Sequence, residues 1–155
     1  MAELNPQARV RDYMTSDPTT LGPNDKLLQA VLTTRSLSIR EIPIVEDGKL
    51  VGLITDRDLG RASPSILGRT SQDEYNQVFQ ENTIARVMVK NPVTVTPDTL
   101  LGDAVALLQE NRWGCVPVVE GDKVVGILTI TDVLRYTMTT LDTSGGNNAS
   151  ITLDL

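Results

Sequence analysis

The stretch Gly52-Leu-Ile-Thr55-Asp-Arg-Asp58 decides how this chain folds, because it returns 74 residues later as Gly126-Ile-Leu-Thr129-Ile-Thr-Asp132. Working outward, every position from Met14 to Asp58 matches without a gap the position 74 later, ending at Met88 and Asp132. Of those 45 pairs, 15 are identical, where ordinary amino-acid usage would give about three. The matches include Met14 with Met88, Pro18 with Pro92, Pro23 with Pro97 and Pro43 with Pro117. Proline and glycine constrain the backbone most strongly, so their joint recurrence implies two copies of one fold unit. Two copies suit a pseudo-symmetric pair rather than a solenoid, which needs more repeats.

Each copy reads as β-α-β-β-α. The first opens with an amphipathic turn at Val10–Met14 and an extended stretch from Pro18 to Pro23. Asn24 or Asp25 is placed to cap a helix running to about Ser36, with Leu27, Leu28, Val31 and Leu32 on one face. Ile42–Glu46 and Leu50–Ile54 read as strands joined by Asp47-Gly48, a two-residue hairpin signal. The second of these is apolar throughout and is expected to be buried on both sides. Thr55 then starts the last helix. The second copy repeats the order, with a helix from Asp98 to about Asn111, strands at Val116–Glu120 and Lys123–Leu128 around Gly121-Asp122, and a helix from Thr129. A strand, crossover helix and second strand predict a right-handed parallel unit with the hairpin beside it.

The organisation expected is repeat 1 over 10–62, a connector over 63–83, repeat 2 over 84–140 and a mobile tail over 141–155, turn-rich from Ser144. In the connector, Glu74–Gln80 can form a short helix anchored by Tyr75, Val78 and Phe79. A repeat of about 50 residues cannot bury a comfortable core alone, so the two copies pack together as one α/β (α+β) module. Aromatics make up only 3% of the chain, which leaves Val, Leu, Ile and Ala to fill that core. The formal net charge of −6 argues against a nucleic-acid or anionic-membrane surface. One cysteine cannot form an intramolecular disulfide and suits a reducing, cytoplasmic setting. With no histidine and one cysteine, zinc sites and histidine-based catalysis lack their usual residues, and no paired carboxylates stand out. No catalytic site is expected.

With the strands Ile42-Pro-Ile-Val and Val116-Pro-Val-Val before it, the Gly-x-x-Thr-x-x-Asp block resembles a tandem pair of CBS domains, the Bateman module. The resemblance covers Val10 to about Met138. It implies clefts between repeats that bind adenosine-containing ligands such as AMP, ADP, ATP, S-adenosylmethionine or NAD, with cyclic dinucleotides in some members. A threonine hydroxyl at a helix start can donate to phosphate, and a carboxylate one turn later can accept from ribose hydroxyls. The same pattern also reads as a helix cap with a reciprocal acid, and the two roles are compatible.

By that resemblance each cleft draws its base pocket from one repeat and its Thr/Asp pair from the other. The favoured cleft combines Asn91, Pro92, Val93, Trp113, Gly114 and Val116 with Thr55, Arg57 and Asp58. The second combines Asp17, Pro18, Thr19, Thr20, Ile39, Arg40 and Ile42 with Thr129 and Asp132. The first is favoured because Gly114 replaces Arg40 and leaves room, while Arg57 replaces Thr131 and adds a cation. Trp113 is read as stacking on a purine or as a core or interface aromatic, and Cys115 as a small core residue. The function expected is a regulatory, ligand-sensing module that changes shape or association, with an interaction module of vestigial clefts as the alternative. Apolar helix faces around Leu59 in one copy, and Val133, Leu134 and Tyr136 in the other, together with the resemblance, imply a homodimer.

Overall fold

The computed structural model describes residues 5–64 and 71–142. Two antiparallel hairpins form its frame. In the first repeat β2 (Glu41–Glu46) pairs with β3 (Lys49–Thr55), and in the second β5 (Cys115–Glu120) pairs with β6 (Lys123–Thr129). Asp47 and Gly48 both take positive φ, as a type I′ turn requires, whereas at Gly121-Asp122 only Gly121 does. Each hairpin carries a bulge one residue before the shared glycine. Ile44 faces Gly52 while Val45 faces Leu50, and Val118 faces Gly126 while Val119 faces Val124.

The third strand of each sheet comes from the neighbouring copy. Strand β1 (Thr15–Ser16) lies along β6, and β4 (Val89–Lys90) lies along β3, so the sheets run β1-β6-β5 and β2-β3-β4. This exchange explains two sequence landmarks. A Cβ at Gly52 would stand 3.1 Å from the Val89 carbonyl oxygen and collide with the Met88 sulfur; one at Gly126 would meet Thr15 and Met14 in the same way. The paired glycines and methionines are therefore contacts between copies.

The expected parallel strand shrinks to one bridge per repeat, Leu21 with Ile44 and Val95 with Val118. Prolines at 18, 23, 92 and 97 cannot donate to a ladder, so the pairing does not propagate. Helices α1 (Leu27–Leu37) and α4 (Leu101–Asn111) start later than expected and have no side-chain cap. The Asp25 carboxylate instead accepts the Gly22 N–H at 2.7 Å, and the Thr99 hydroxyl accepts the Thr96 N–H at 3.0 Å. On α1, Leu27, Ala30 and Val31 are buried while Leu32 is exposed. In β3 only Gly52–Ile54 are buried, not the whole apolar run.

Two cores result, each completed from outside its own repeat. Ala8 and Val10 join Leu101, Ala104, Leu108, Val116, Val118 and Leu128 of the second repeat. Phe79, from α3 (Gln72–Glu81), and Ile84 join Leu27, Ala30, Ile42, Ile44 and Ile54 of the first. The connector helix is thus part of a core, and Phe79 is 1% exposed.

The last helices differ. Short α2 (Asp56–Ala62) buries Leu59, which is 6% exposed, so no apolar face stands outside there. Helix α5 (Ile130–Asp142) extends two residues into the expected tail and leaves Ile130, Leu134, Met138 and Leu141 exposed at helical spacing. Its Tyr136 is half-buried and packs edge-on against Tyr13. The tail from Ser144 lies outside the described residues.

Candidate functional site

At the start of α2 Thr55 and Asp58 close a reciprocal cap. The Thr55 N–H and hydroxyl donate to Asp58 Oδ2 at 2.9 and 2.8 Å, and the Asp58 N–H donates back to Thr55 Oγ1 at 3.3 Å. Thr129 and Asp132 repeat this at 2.9, 3.0 and 3.2 Å. The capping role is therefore present in both copies, and the oxygen that the cap leaves over in each carboxylate is Oδ1.

Among the described residues nothing bonds Asp58 Oδ1, and Asp58 is half-buried beside a cleft of ≈ 440 Å³. That volume lies within the usual range of small-molecule sites, about 300–1,000 Å³. One wall comes from the first repeat: Glu41, Leu53, Thr55, Asp56, Arg57, Asp58 and Arg61. The other comes from the second: Val89, Pro92, Val93, Asn111, Arg112, Trp113, Gly114, Cys115 and Pro117. Seven of the nine residues of the favoured set line it directly, namely Thr55, Arg57, Asp58, Pro92, Val93, Trp113 and Gly114.

Val116 and Asn91 do not. Side chains alternate along β5, so Cys115 and Pro117 face the cleft while Val116, fully buried, faces the core. Asn91 adopts φ 47° and gives its N–H to the carbonyl of the bulge residue Val51 at 3.2 Å. Asp17 does the same toward Val125, also at 3.2 Å. These two residues fix the entry of the Pro18 and Pro92 segments.

Arg61, Arg112 and Glu41 were missed by the sequence reading. Arg61 stands one turn beyond Arg57, an i,i+4 relation that could have flagged it. Arg112 ends α4 in the left-handed conformation, φ 55°, where glycine is usual, so no composition cue marks the bend that presents Trp113 and Gly114. The cation expected from Arg57 is in the lining, where Glu41, Asp56 and Asp58 stand against Arg57, Arg61 and Arg112. The Glu41 carboxyl is pushed up by burial, then by Asp56 and Asp132, with Arg40 opposing. Burial, with Glu41 and Asp58 nearby, pushes the Cys115 thiol up to about 12, so it stays protonated.

The second set is arranged differently. Asp132 is 2% exposed. Its Oδ1 receives the Thr15 hydroxyl at 3.2 Å and the Arg135 guanidinium at 3.3 Å. Pro18 is half-buried, while Asp17, Thr19 and Thr20 are exposed. Ile42 is wholly in the first repeat's core. Ile39 and Arg40 line a separate hollow of ≈ 350 Å³ among α1, α2 and α3, with Arg35, Ser63, Tyr75 and Phe79.

The family model for the CBS domain matches residues 10–65 and 84–139. The chain belongs to the CBS-domain family, as a tandem pair. A CBS domain-containing protein, YhcV of Bacillus subtilis, is 30% identical over 124 residues, covering 80% of this chain and 81% of that protein. Among solved structures, the CBS domain pair of protein MJ0100 in complex with 5′-methylthioadenosine and S-adenosyl-L-methionine superposes with a TM-score of 0.71 at 29% identity, covering 86% of this chain and 98% of that one. CBSX2 in complex with AMP gives 0.69 at 25% identity, covering 84% and 96%.

Proposed function

We propose that this CBS pair is a regulatory module that binds an adenosine-containing nucleotide in the cleft between Asp58 and Trp113. The observation that carries the reading is the free Oδ1 of Asp58, held by the Thr55 cap at the wall of a cleft of suitable volume. The adenosine compounds bound by the two solved relatives support that ligand class. In this reading Asp58 accepts from ribose hydroxyls, Trp113 and Pro92 enclose the base, and Arg57, Arg61 and Arg112 meet the phosphate. Helix α2 adds little field of its own, because it is short and its first turn already carries Asp56 and Asp58.

Ligand held between the repeats favours one relative orientation of the two, and its differential affinity limits how far that equilibrium moves. The apolar stripe on α5 is the face through which a homodimer would form, and static light scattering should then report about twice the chain mass of 16.9 kDa. Nucleotide binding is tested by thermal shift with AMP, ADP, ATP, S-adenosylmethionine, NAD and cyclic dinucleotides. At a hundred times its dissociation constant, a ligand adds about 2.7 kcal/mol of stability. The closed state of Asp132 favours the second reading, an interaction module with vestigial clefts. No shift by any compound at millimolar concentration would decide for it.

A further inference from the structure

One acid in the cleft lies outside the repeated motif. Glu41 is the first residue of β2, and because Ile42 and Ile44 face the core, it lies on the opposite alternation and reaches the cleft wall. Its Oε1 would be 3.6 Å from a Cβ built at Gly114, so it lies directly against the bend that carries Trp113. Among the described residues no hydrogen bond or ion pair reaches its carboxylate, although three arginines line the same cleft. The matched position in the other repeat is Cys115, so this acid is particular to one half.

An ionised carboxylate only accepts hydrogen bonds. Half-buried, with Asp56 and Asp132 near and Arg40 the opposing charge, Glu41 is short of donors. A ligand placing N–H there relieves the deficit, and one placing a lone pair or bare C–H there does not. We infer that Glu41 is the specificity-determining residue of the cleft, accepting from the exocyclic amino group of the bound base. This rests on the nucleotide reading above, under which the 6-amino group is the donor that adenine offers.

The test compares AMP with purine riboside 5′-monophosphate, which differs only by lacking that amino group, using calorimetric titration of the wild-type protein and of Glu41→Leu and Glu41→Gln. Wild type should prefer AMP by about ten- to a hundredfold, the usual scale for a lost bond to a charged acceptor. Glu41→Leu should bring the two affinities together, while Glu41→Gln, which keeps one acceptor, should retain part of the preference. An undiminished preference for AMP in Glu41→Leu would overturn the role of Glu41 and leave the cleft reading standing. Failure of both nucleotides to bind wild type would overturn the Glu41 proposal, whereas the nucleotide reading falls only if no compound of the thermal-shift panel binds either.

Discussion

The two Thr-x-x-Asp sites are the same in sequence and in cap geometry, yet one carboxylate faces a cleft and the other faces its own protein. The difference traces to residues outside the motif. Asp132 is closed off by Thr15 and Arg135. The matched positions for Asp58 are Val89 and Arg61. Valine has no hydroxyl to give, and Arg61 makes no ion pair with Asp58 among the described residues. A methyl-for-hydroxyl difference on the exchanged strand, together with the Arg135 ion pair that Arg61 does not reproduce, thus separates a carboxylate with capacity to spare from one that is internally satisfied. Repeated motifs show where a site can be built, and their neighbours decide whether it is left open.

The largest effect should come from removing the two acids. Asp58→Ala should weaken AMP binding by more than about tenfold, as expected for a lost bond to a charged group. Asp132→Ala should barely change affinity, but should cost about 1–3 kcal/mol of stability because the bonds that Thr129 and Thr15 donate to the buried, charged Asp132 carboxylate are lost. Calorimetric titration and urea unfolding of both variants separate the two costs. Equal losses of affinity would break the asymmetry.

Next in size are the glycines, where the two halves should behave alike. Gly52→Ala and Gly126→Ala each force a Cβ onto a methionine sulfur and to 3.1 Å of a backbone oxygen. Overpacking of this kind costs about 1–3 kcal/mol. Urea unfolding should show similar losses for both, and a large loss in only one would mean that the strand exchange is not equally important to the two sheets.

A smaller effect tests the cause directly. Val89→Thr supplies the hydroxyl that the open cleft lacks, so Asp58 Oδ1 should turn inward and AMP affinity should fall by roughly fivefold, equivalent to one net hydrogen bond of about 1 kcal/mol. Unchanged affinity would show that Thr15 does not determine the closure at Asp132.

Much of this was readable from one chain. Matching Gly52 with Gly126 and Pro43 with Pro117 gives the hairpins and the order of elements, because those residues act through local backbone geometry. The exchange of β1 and β4 was not readable, since two-residue strands carry no periodicity. The cap expected at Asp25 failed because its carboxylate closes a turn on Gly22 instead. Thr55, Asp58 and Trp113 followed from motif and match, whereas Glu41 and Arg112 required the paths of β2 and the end of α4. The closure of Asp132 depends on Thr15, which is 117 residues away.

The smallest expected effect concerns Glu41 without ligand. Its folded-state pKa is raised above the ordinary 4.5, first by burial and then by Asp56 and Asp132 against Arg40. The folded protein therefore holds the Glu41 proton more tightly than the unfolded chain does. By linkage, that contribution to stability is fully present below about pH 4.5 and is lost as pH rises through the folded-state value. Glu41→Gln stays neutral throughout, so it should be more stable than wild type at neutral pH, with the gap closing toward acid. Urea unfolding of both proteins between pH 4 and 8, an interval on the order of the carboxylate-to-neutral range, reads this out. A gap independent of pH would show that the ionised carboxylate is not strained in the folded cleft. A gap that closes as expected, together with weaker AMP selectivity in the same variant, would show that Glu41 trades stability for recognition.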